Sequence, residues 1–399
     1  MPIHARSRVI AVFLGLTLHS AAVAQTLTYV GKVRLPQEGT EFSRAGLAVR
    51  THPTKGYREI VSLNRKGEPY GVRMPDAWDD SVATGSIHYG SPEYPANHMP
   101  WNLGFDHTGE LLLFHAPFYP ASELPTLPSI TRYTLTATGL ENKRGPFAIP
   151  GVHFHRRQGG ALVLPEAIAA RHGGRRTVVG FGGYYNITQG TSPGTCAYAV
   201  DLDSWQASPL IEFPWKEGAK NEPRRGDYDN SDTFGSTIDP TGPGDFEGTW
   251  QLTDTRSGGA WSRGLWIAGF EATGRIRYTD EGGQSGFHAD AFKTFVRFYP
   301  EADLVELWNG RCQPQQLRPR YWRLEEIPGV PANLGTSLTH KGDPNINPDP
   351  KLNGVAIEGD LLLVAAPLDW GGMHNNEHPA IHAFRIDFDG SAPPAARKK

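Results

Sequence analysis

The sequence is poor in cysteine, and its two cysteines are far apart. Only Cys196 and Cys312 occur among 399 residues, with no Cys-x-x-Cys pair and no Cys/His spacing of the kind that holds zinc. The sequence therefore offers no ligand set for a structural zinc site. One interpretation joins the two cysteines in a disulfide, which persists in an oxidising compartment, and the other leaves two separately buried thiols. The sequence fits both equally.

The sequence also lacks an excess of basic charge and several well-known catalytic motifs. Lys and Arg total 39 against 42 Asp and Glu, which gives a formal net charge of −3. A nucleic-acid-binding face needs clustered positive charge, so we expect no nucleic-acid partner. There is no G-x-S-x-G elbow, no His-Glu-x-x-His and no phosphate-binding glycine loop ahead of a helix. These absences count against a serine hydrolase, a zinc protease and a nucleotide-binding protein.

Long apolar runs are missing except near the N-terminus. Arg6 and Arg8 precede an apolar stretch from Val9 to Leu18, and Ala22-Val23-Ala24 follows it. A basic flank, an apolar core of this length and an A-x-A end are typical of a secretory signal peptide, so we predict one over residues 1–24, cleaved after Ala24. The stretch is shorter than the roughly 20 residues that a membrane span needs. We therefore expect a secreted or periplasmic protein without membrane insertion.

What the sequence does contain is a degenerate unit that recurs along its length. Each unit has a short apolar run, a turn with glycine or charge, and a second apolar run, and most units end with a third run. The paired runs are Gly46 to Val49 with Glu59 to Leu63, Leu103 to Phe105 with Leu111 to Ala116, Ala161 to Leu164 with Thr177 to Phe181, Gly248 to Leu252 with Gly264 to Phe270, and Gly354 to Ile357 with Leu361 to Ala366. The third runs are Ile130 to Leu135, Ala197 to Leu202, Phe295 to Phe298 and Ile381 to Ile386.

Repeats of this size, built from β-type runs, predict sheets arranged around an axis. The expected fold is all-β, a β-propeller of five to seven blades with long inter-strand loops. We expect a single propeller domain over residues 25–392 and a disordered tail over residues 393–399. Helix is expected only at Pro165 to Ala170 and Ala302 to Trp308.

Some stretches resemble known protein groups. Phe42 to Val49, with Glu59 to Leu63, is similar to the first blade of large secreted bacterial β-propeller proteins of uncharacterised function. Phe295 to Leu304 resembles a strand exit in the same group. Met373 to Pro379, with the later Asp387 to Gly390, is similar to the His-Asn-x-Pro blade signature of propeller-type polysaccharide lyases and glycosidases. The resemblance to polysaccharide lyases and glycosidases implies that His and Tyr side chains near the propeller axis act on uronic-acid sugars.

Four residues are candidates for proton transfer at a mouth of the propeller. His115 follows a strongly apolar run, and Tyr185 follows a glycine-rich strand exit. Histidine titrates near neutral pH and suits a general base, and a tyrosine with a lowered pKa can deliver a proton. We predict His115 or His378 as the base, Tyr185 as the proton donor and His288 as a further member. A hydrogen-bonded strand-end histidine and a tyrosine packed on the next blade are the structural alternatives.

A possible calcium site lies late in the sequence. Asp343, Asn345, Asn347 and Asp349 place oxygen ligands at alternate positions, which suits Ca²⁺. The segment is not an EF-hand, because Pro348 occupies the position of the usual glycine. A solvated loop with Asx turns is the alternative.

Two functions are compatible with these features. The first is a secreted or periplasmic enzyme, a lyase or glycosidase, that cleaves a polar polymer, in particular an acidic polysaccharide. The second is a non-catalytic propeller that binds a protein or glycan of the cell envelope. In either case we expect a monomer whose partner is a carbohydrate or an envelope protein.

Overall fold

The computed structural model describes residues 25–36, 46–64, 66–117, 127–152, 154–181, 196–212, 254–279, 285–331, 334, 336–338, 352, 354–366 and 379–388. Strands dominate these residues. In chain order they are β1 (Thr26–Arg34), β2 (Ala48–Thr51), β3 (Arg58–Leu63), β4 (Pro69–Arg73), β5 (Asp79–Val82), β6 (Ile87–His88), β7 (His98–Phe105), β8 (Leu111–Pro117), β9 (Ile130–Leu135), β10 (Leu140–Phe147), β11 (Ala161–Val163), β12 (Thr177–Gly180), β13 (Cys196–Val200), β14 (Ala207–Glu212), β15 (Asp254–Trp261), β16 (Gly264–Thr279), β17 (Ser285–Pro300), β18 (Arg320–Arg323), β19 (Thr336–Leu338), β20 (Gly354–Glu358), β21 (Leu361–Ala366) and β22 (Ala380–Asp387). The α-helices in this part of the chain are α1 (Glu166–Ala169) and α2 (Glu301–Trp308).

The strands form five sheets, which are the five blades of a β-propeller. From the innermost strand outward, blade 1 is β2-β3-β4-β6, blade 2 is β7-β8-β9-β10, blade 3 is β11-β12-β13-β14, blade 4 is β15-β16-β17-β18 with β19 beside β17, and blade 5 is β20-β21-β22-β1-β5. The prediction of an all-β propeller of five to seven blades is confirmed, with five blades.

The second strand of blade 2 shows why an unbroken apolar run becomes a strand here. Leu111 and Leu113 pack in a cluster with blade 1, whereas Leu112 and Phe114 pack in a cluster with blade 3. Successive side chains of a strand point to opposite faces, and both faces of this strand are covered by neighbouring blades. All four side chains are at most 1% exposed. Each contributes about 1.5 to 3 kcal/mol of hydrophobic stabilisation.

The five innermost strands form a closed ring around the axis. β2 contacts β7, β7 contacts β11, β11 contacts β15, β15 contacts β20, and β20 contacts β2 again. The backbones approach so closely that two of the glycines have no room for a side chain. A Cβ on Gly104 would lie 2.6 Å from the backbone nitrogen of Ala161, and one on Gly354 would lie 2.5 Å from that of Leu47. Glycine at these positions therefore sets how tightly neighbouring blades meet.

The ring is closed by the N-terminal strand. β1 pairs antiparallel with β22, so the first strand of the chain completes the last blade. β5, which leaves blade 1, pairs in parallel with β1 at the outer edge of the same blade. Asp80 of β5 also lies 3.5 Å from the Lys32 ammonium and 3.4 Å from the Arg34 guanidinium of β1. Blades 1 and 5 are thus joined by backbone pairing of two separate segments.

Several further expectations can be compared with these elements. The two predicted helical stretches are confirmed by α1 and α2. The predicted run Gly248 to Leu252 lies outside the described residues, and the innermost described strand of blade 4 is β15. Cys196 and Cys312 carry thiols and no disulfide joins them, as in the second interpretation of the cysteines, but only Cys196 is fully buried and Cys312 is half-buried. The Cys196 thiol donates a hydrogen bond of 3.2 Å to the carbonyl of Arg156.

We predict that Gly354→Ala destabilises the propeller. The new methyl group would overlap the backbone of blade 1, and overpacking of this kind costs about 1 to 3 kcal/mol. The free energy of unfolding, measured by chemical denaturation, should fall by that amount. Gly139→Ala is the matched control, because a Cβ there meets its nearest atom at 3.8 Å. Equal stability of the two variants would contradict the tight ring.

Candidate functional site

The innermost strands of all five blades begin at the same face of the propeller. We call it the connection face and define it by the starts of the innermost strands β2, β7, β11, β15 and β20. Because successive strands of a blade are antiparallel, the second strands end at this face and the third strands begin there. The strand ends at this face flank segments 37–45, 118–126, 182–195, 213–253, 280–284, 339–351 and 367–378, which lie outside the described residues.

Most of the sequence-predicted site residues lie outside the described part of the chain. Tyr185 lies in segment 182–195, His378 lies in segment 367–378, and both are outside the described residues. The same holds for the predicted calcium ligands Asp343, Asn345, Asn347 and Asp349, in segment 339–351. The backbone of His288 is described and pairs with Arg277 in the β16–β17 hairpin, beyond the last residue of β16 that pairs with β15. The catalytic roles and the calcium site stay predictions.

His115 is the predicted residue whose side chain the structure describes. It lies near the end of β8, the second strand of blade 2, opposite Pro100 of β7. Its side chain has no exposed surface, so it does not lie open at a mouth of the propeller, where it was predicted. Its Nε2 is 2.7 Å from the Thr131 hydroxyl of β9, and its Nδ1 is 2.8 Å from Nδ1 of His98. His115 is therefore the buried centre of a polar chain across three strands.

His98 is the residue that sequence reasoning missed. It is the first residue of β7 and is partly exposed, and its ring centroid lies 5.0 Å from that of His115. The Tyr94 ring packs edge-on against His115, at 5.3 Å between centroids. A signal was present, because His98 stands shortly before the first run, Leu103 to Phe105, of the unit whose second run contains His115. The following Met-Pro pair concealed it, since proline argues against a strand interior.

The geometry couples the tautomers of the two histidines. Two Nδ1 atoms at hydrogen-bond distance require a proton on one and a lone pair on the other. When Nε2 of His115 donates to the Thr131 hydroxyl, Nδ1 of His98 donates to Nδ1 of His115, and Nε2 of His98 is left with a lone pair. When the Thr131 hydroxyl donates instead, Nε2 of His98 carries a proton. The Nε2 atom of partly exposed His98 can thus accept or donate a proton, while buried His115 takes the matching tautomer.

Burial keeps this pair neutral. Desolvation lowers the pKa of His115 to about 3, with smaller contributions from the charges of His98, Lys143 and Arg157. Desolvation also lowers the pKa of His98. Both rings are therefore uncharged at neutral pH, which is the state in which His98 can act as a base.

A buried cation lies beside the histidine pair. Arg157 has no exposed surface. Its Nε donates to the hydroxyl of Ser129 at 3.0 Å and its Nη1 to the carbonyl of Ile149 at 3.3 Å, and its Nη2 donates to the carbonyl of Leu127. The carbonyl of Ser129 accepts the backbone N–H of His115 at 2.9 Å. Ser129 thus links the guanidinium directly to the strand end that holds the histidine.

Two arginines of blades 1 and 2 are matched by carboxylates. Arg50 lies 2.8 Å from Glu59, and Arg132 lies 2.6 Å from both Asp106 and Glu110. These contacts compensate the buried carboxylates Glu59 and Asp106 in blades 1 and 2. No group of three or more His, Cys, Asp and Glu side chains that could hold a metal is found among the described residues. Nor does that part of the chain contain a helix long and apolar enough to cross a membrane.

Comparison with known proteins gives no family. No protein-family model matches the chain, and no curated protein matches it. A protein of unknown function from Dyadobacter fermentans is similar in structure, with 10% identity, 90% of this chain and 99% of that one covered, and a TM-score of 0.39. The soluble aldose sugar dehydrogenase of Escherichia coli has 9% identity, coverage of 91% and 99%, and a TM-score of 0.34. A GH43 endo-arabinanase from Bacillus licheniformis has 10% identity, coverage of 88% and 94%, and a TM-score of 0.35.

These structures include one protein of unknown function and two enzymes named for carbohydrates. At such TM-scores they carry no argument about activity.

We predict that the stability of the protein falls as the pH is lowered from about 6.5 towards 3. His115 and His382 have folded-state pKa values of about 3, so they stay neutral in the folded state while the unfolded chain binds protons below its ordinary pKa of 6.5. Each contributes up to about 1.4 kcal/mol per pH unit in that window. Urea unfolding at a series of pH values should show a shallower dependence for His115→Asn than for the wild type. The control His88→Asn, at an exposed histidine, should keep the wild-type pH dependence. The same pH dependence of the unfolding free energy in all three proteins would contradict the prediction.

Proposed function

We propose that the chain is a secreted or periplasmic propeller enzyme that cleaves an acidic polysaccharide. The observation that carries the proposal is the hydrogen-bonded chain from Thr131 through buried His115 to partly exposed His98 at the connection face. A base held in one orientation by a second group is the arrangement that general base catalysis needs. In this proposal His98 replaces His115 as the group that meets the substrate.

The reaction that best fits a single neutral base is an elimination beside a uronate carboxylate. His98 Nε2 takes the proton from the carbon next to the carboxylate, and the electrons of that C–H bond form a carbon–carbon double bond. The bond from the neighbouring carbon to the glycosidic oxygen breaks, and that oxygen takes up a proton, which the His98 imidazolium can return. The products are an unsaturated sugar end and a free hydroxyl, so atoms and electrons balance.

His115 acts in this scheme as a positioning residue. It accepts the Nδ1 proton of His98 or donates its own, so it holds the His98 ring in place and stabilises the imidazolium that forms. Thr131 fixes the far end of the chain. Because His115 itself stays neutral, it does not compete for the substrate proton.

We predict that the wild-type protein raises the absorbance near 235 nm on at least one member of a panel of uronate polymers. His98→Ala should lower kcat by about 10² to 10⁴, the range expected for loss of a general base. His115→Asn should lower kcat less, because it removes the group that orients the His98 ring but leaves His98, the base, in place. His88→Ala, at an exposed histidine of blade 1, is the control and should keep full activity.

An inactive wild type across the panel would remove the lyase mechanism. Binding of a panel polymer without turnover would instead favour the non-catalytic propeller that binds an envelope glycan. Full activity of a correctly folded His98→Ala variant would contradict the role of His98 while leaving the reaction class intact.

The location of the protein is a separate part of the proposal. If residues 1–24 are a signal peptide, expression of the full chain in a bacterial host should yield a protein in the periplasm or medium that begins at Gln25. N-terminal sequencing or intact mass measures this directly. Such a start leaves β1, which begins at Thr26, complete for closure of blade 5. An uncleaved protein in the cytoplasm would contradict the localisation.

A further inference from the structure

Arg157 differs from the neighbouring cations in how its charge is compensated. Its hydrogen-bond acceptors are the hydroxyl of Ser129 and the carbonyls of Ile149 and Leu127, and all three are neutral. Among the described residues no carboxylate pairs with it. A fully buried charge is ordinarily paired, because desolvation of an unpaired ion is costly. The guanidinium therefore leaves an uncompensated positive charge inside blade 2.

The other charges close to the histidine pair do not cancel it. Lys143 is paired with Glu93 at 2.6 Å, so that side chain and its partner are together neutral. Arg156, the preceding residue, is paired with Glu212 and with the hydroxyl of Tyr198. His98 and His115 are neutral at pH 7. Among the described charges near the histidine pair, Arg157 is thus the positive charge that no carboxylate balances.

We infer that Arg157 is a specificity-determining residue that makes the His98 site select ligands bearing a carboxylate. It acts through space and through Ser129, since its side chain has no exposed surface with which to touch a ligand. A charge fixed in a poorly solvated interior is weakly screened, so it reaches an anionic group bound at His98. The same charge favours the negative charge that develops as a proton leaves the carbon beside that carboxylate.

The inference rests on the proposed function for the position of the site, yet it is tested by binding without turnover. The probe is an oligogalacturonate compared with its fully methyl-esterified form, which has the same sugars without the charge. Isothermal titration at low salt should show that the wild type binds the acid at least about tenfold more tightly than the ester, as expected for electrostatic complementarity. Equal affinities, or no binding of the acid, would overturn the inference.

Variants separate charge from shape. Arg157→Gln should reduce the preference for the acid to about twofold or less and leave ester binding unchanged, while Arg157→Lys should keep the preference at a pH of about 6, where a buried ammonium still holds its proton. Arg311→Gln, at an exposed arginine of α2's C-terminal side, changes the net charge by the same amount and should leave the preference as in the wild type. A folded Arg157→Gln variant with the wild-type preference would refute the role of the charge.

A second route does not depend on the stability of the glutamine variant. Burial lowers the pKa of Arg157 itself to about 9, and it lowers the pKa of a lysine at the same place below its ordinary value of about 10.4. The preference for the acid should therefore weaken as the pH rises in both proteins, and in Arg157→Lys it should be lost at a lower pH than in the wild type. Retention by the lysine variant over the whole range would also contradict the inference. A wild type that prefers the acid but shows no turnover would contradict the proposed enzymatic activity alone.

Discussion

The close approach of backbones around the propeller axis is the constraint on which the rest of this structure depends. The five innermost strands touch in a ring, and positions such as Gly104 and Gly354 have no space for a side chain. Each outer strand then lies at a set distance from the axis, with neighbouring blades covering both of its faces. This arrangement turns runs such as Leu111 to Phe114 into fully buried strands whose alternate residues stabilise two different interfaces.

The same geometry creates the candidate site. Antiparallel order brings the start of β7, the end of β8 and the start of β9 to one face, so His98, His115 and Thr131 meet although they are distant in sequence. Burial between blades then keeps His115 neutral. Arg157, which donates a hydrogen bond to Ser129, has only neutral acceptors among the described residues. The result is a polar chain with one partly exposed end, which lies next to a positive charge that no described carboxylate balances.

Local sequence patterns predicted the parts of this fold that are locally determined. The apolar run Ile130 to Leu135 coincides with β9, because a strand buried on both faces needs no other signal. The closing strand Thr26–Arg34 was not assigned to a blade, since its mixed sequence pairs with residues more than 340 positions later. His98 was missed because its contact with His115 depends on how β7 and β8 pair. The sequence of one strand does not show which residues of the next strand lie beside it. His115 was expected at an open mouth, and only the packing of neighbouring blades shows that it is buried.

Nuclear magnetic resonance of the histidine ring nitrogens tests the central claim most directly, because it observes the His98–His115 hydrogen bond itself. With ¹⁵N-labelled histidine at neutral pH, the account predicts scalar coupling between the two Nδ1 nuclei and a His115 ring that stays neutral down to a pH of about 3. Two uncoupled rings that both titrate near 6.5 would show that the blades do not bring these side chains together, and would contradict the site and the ring geometry that positions it.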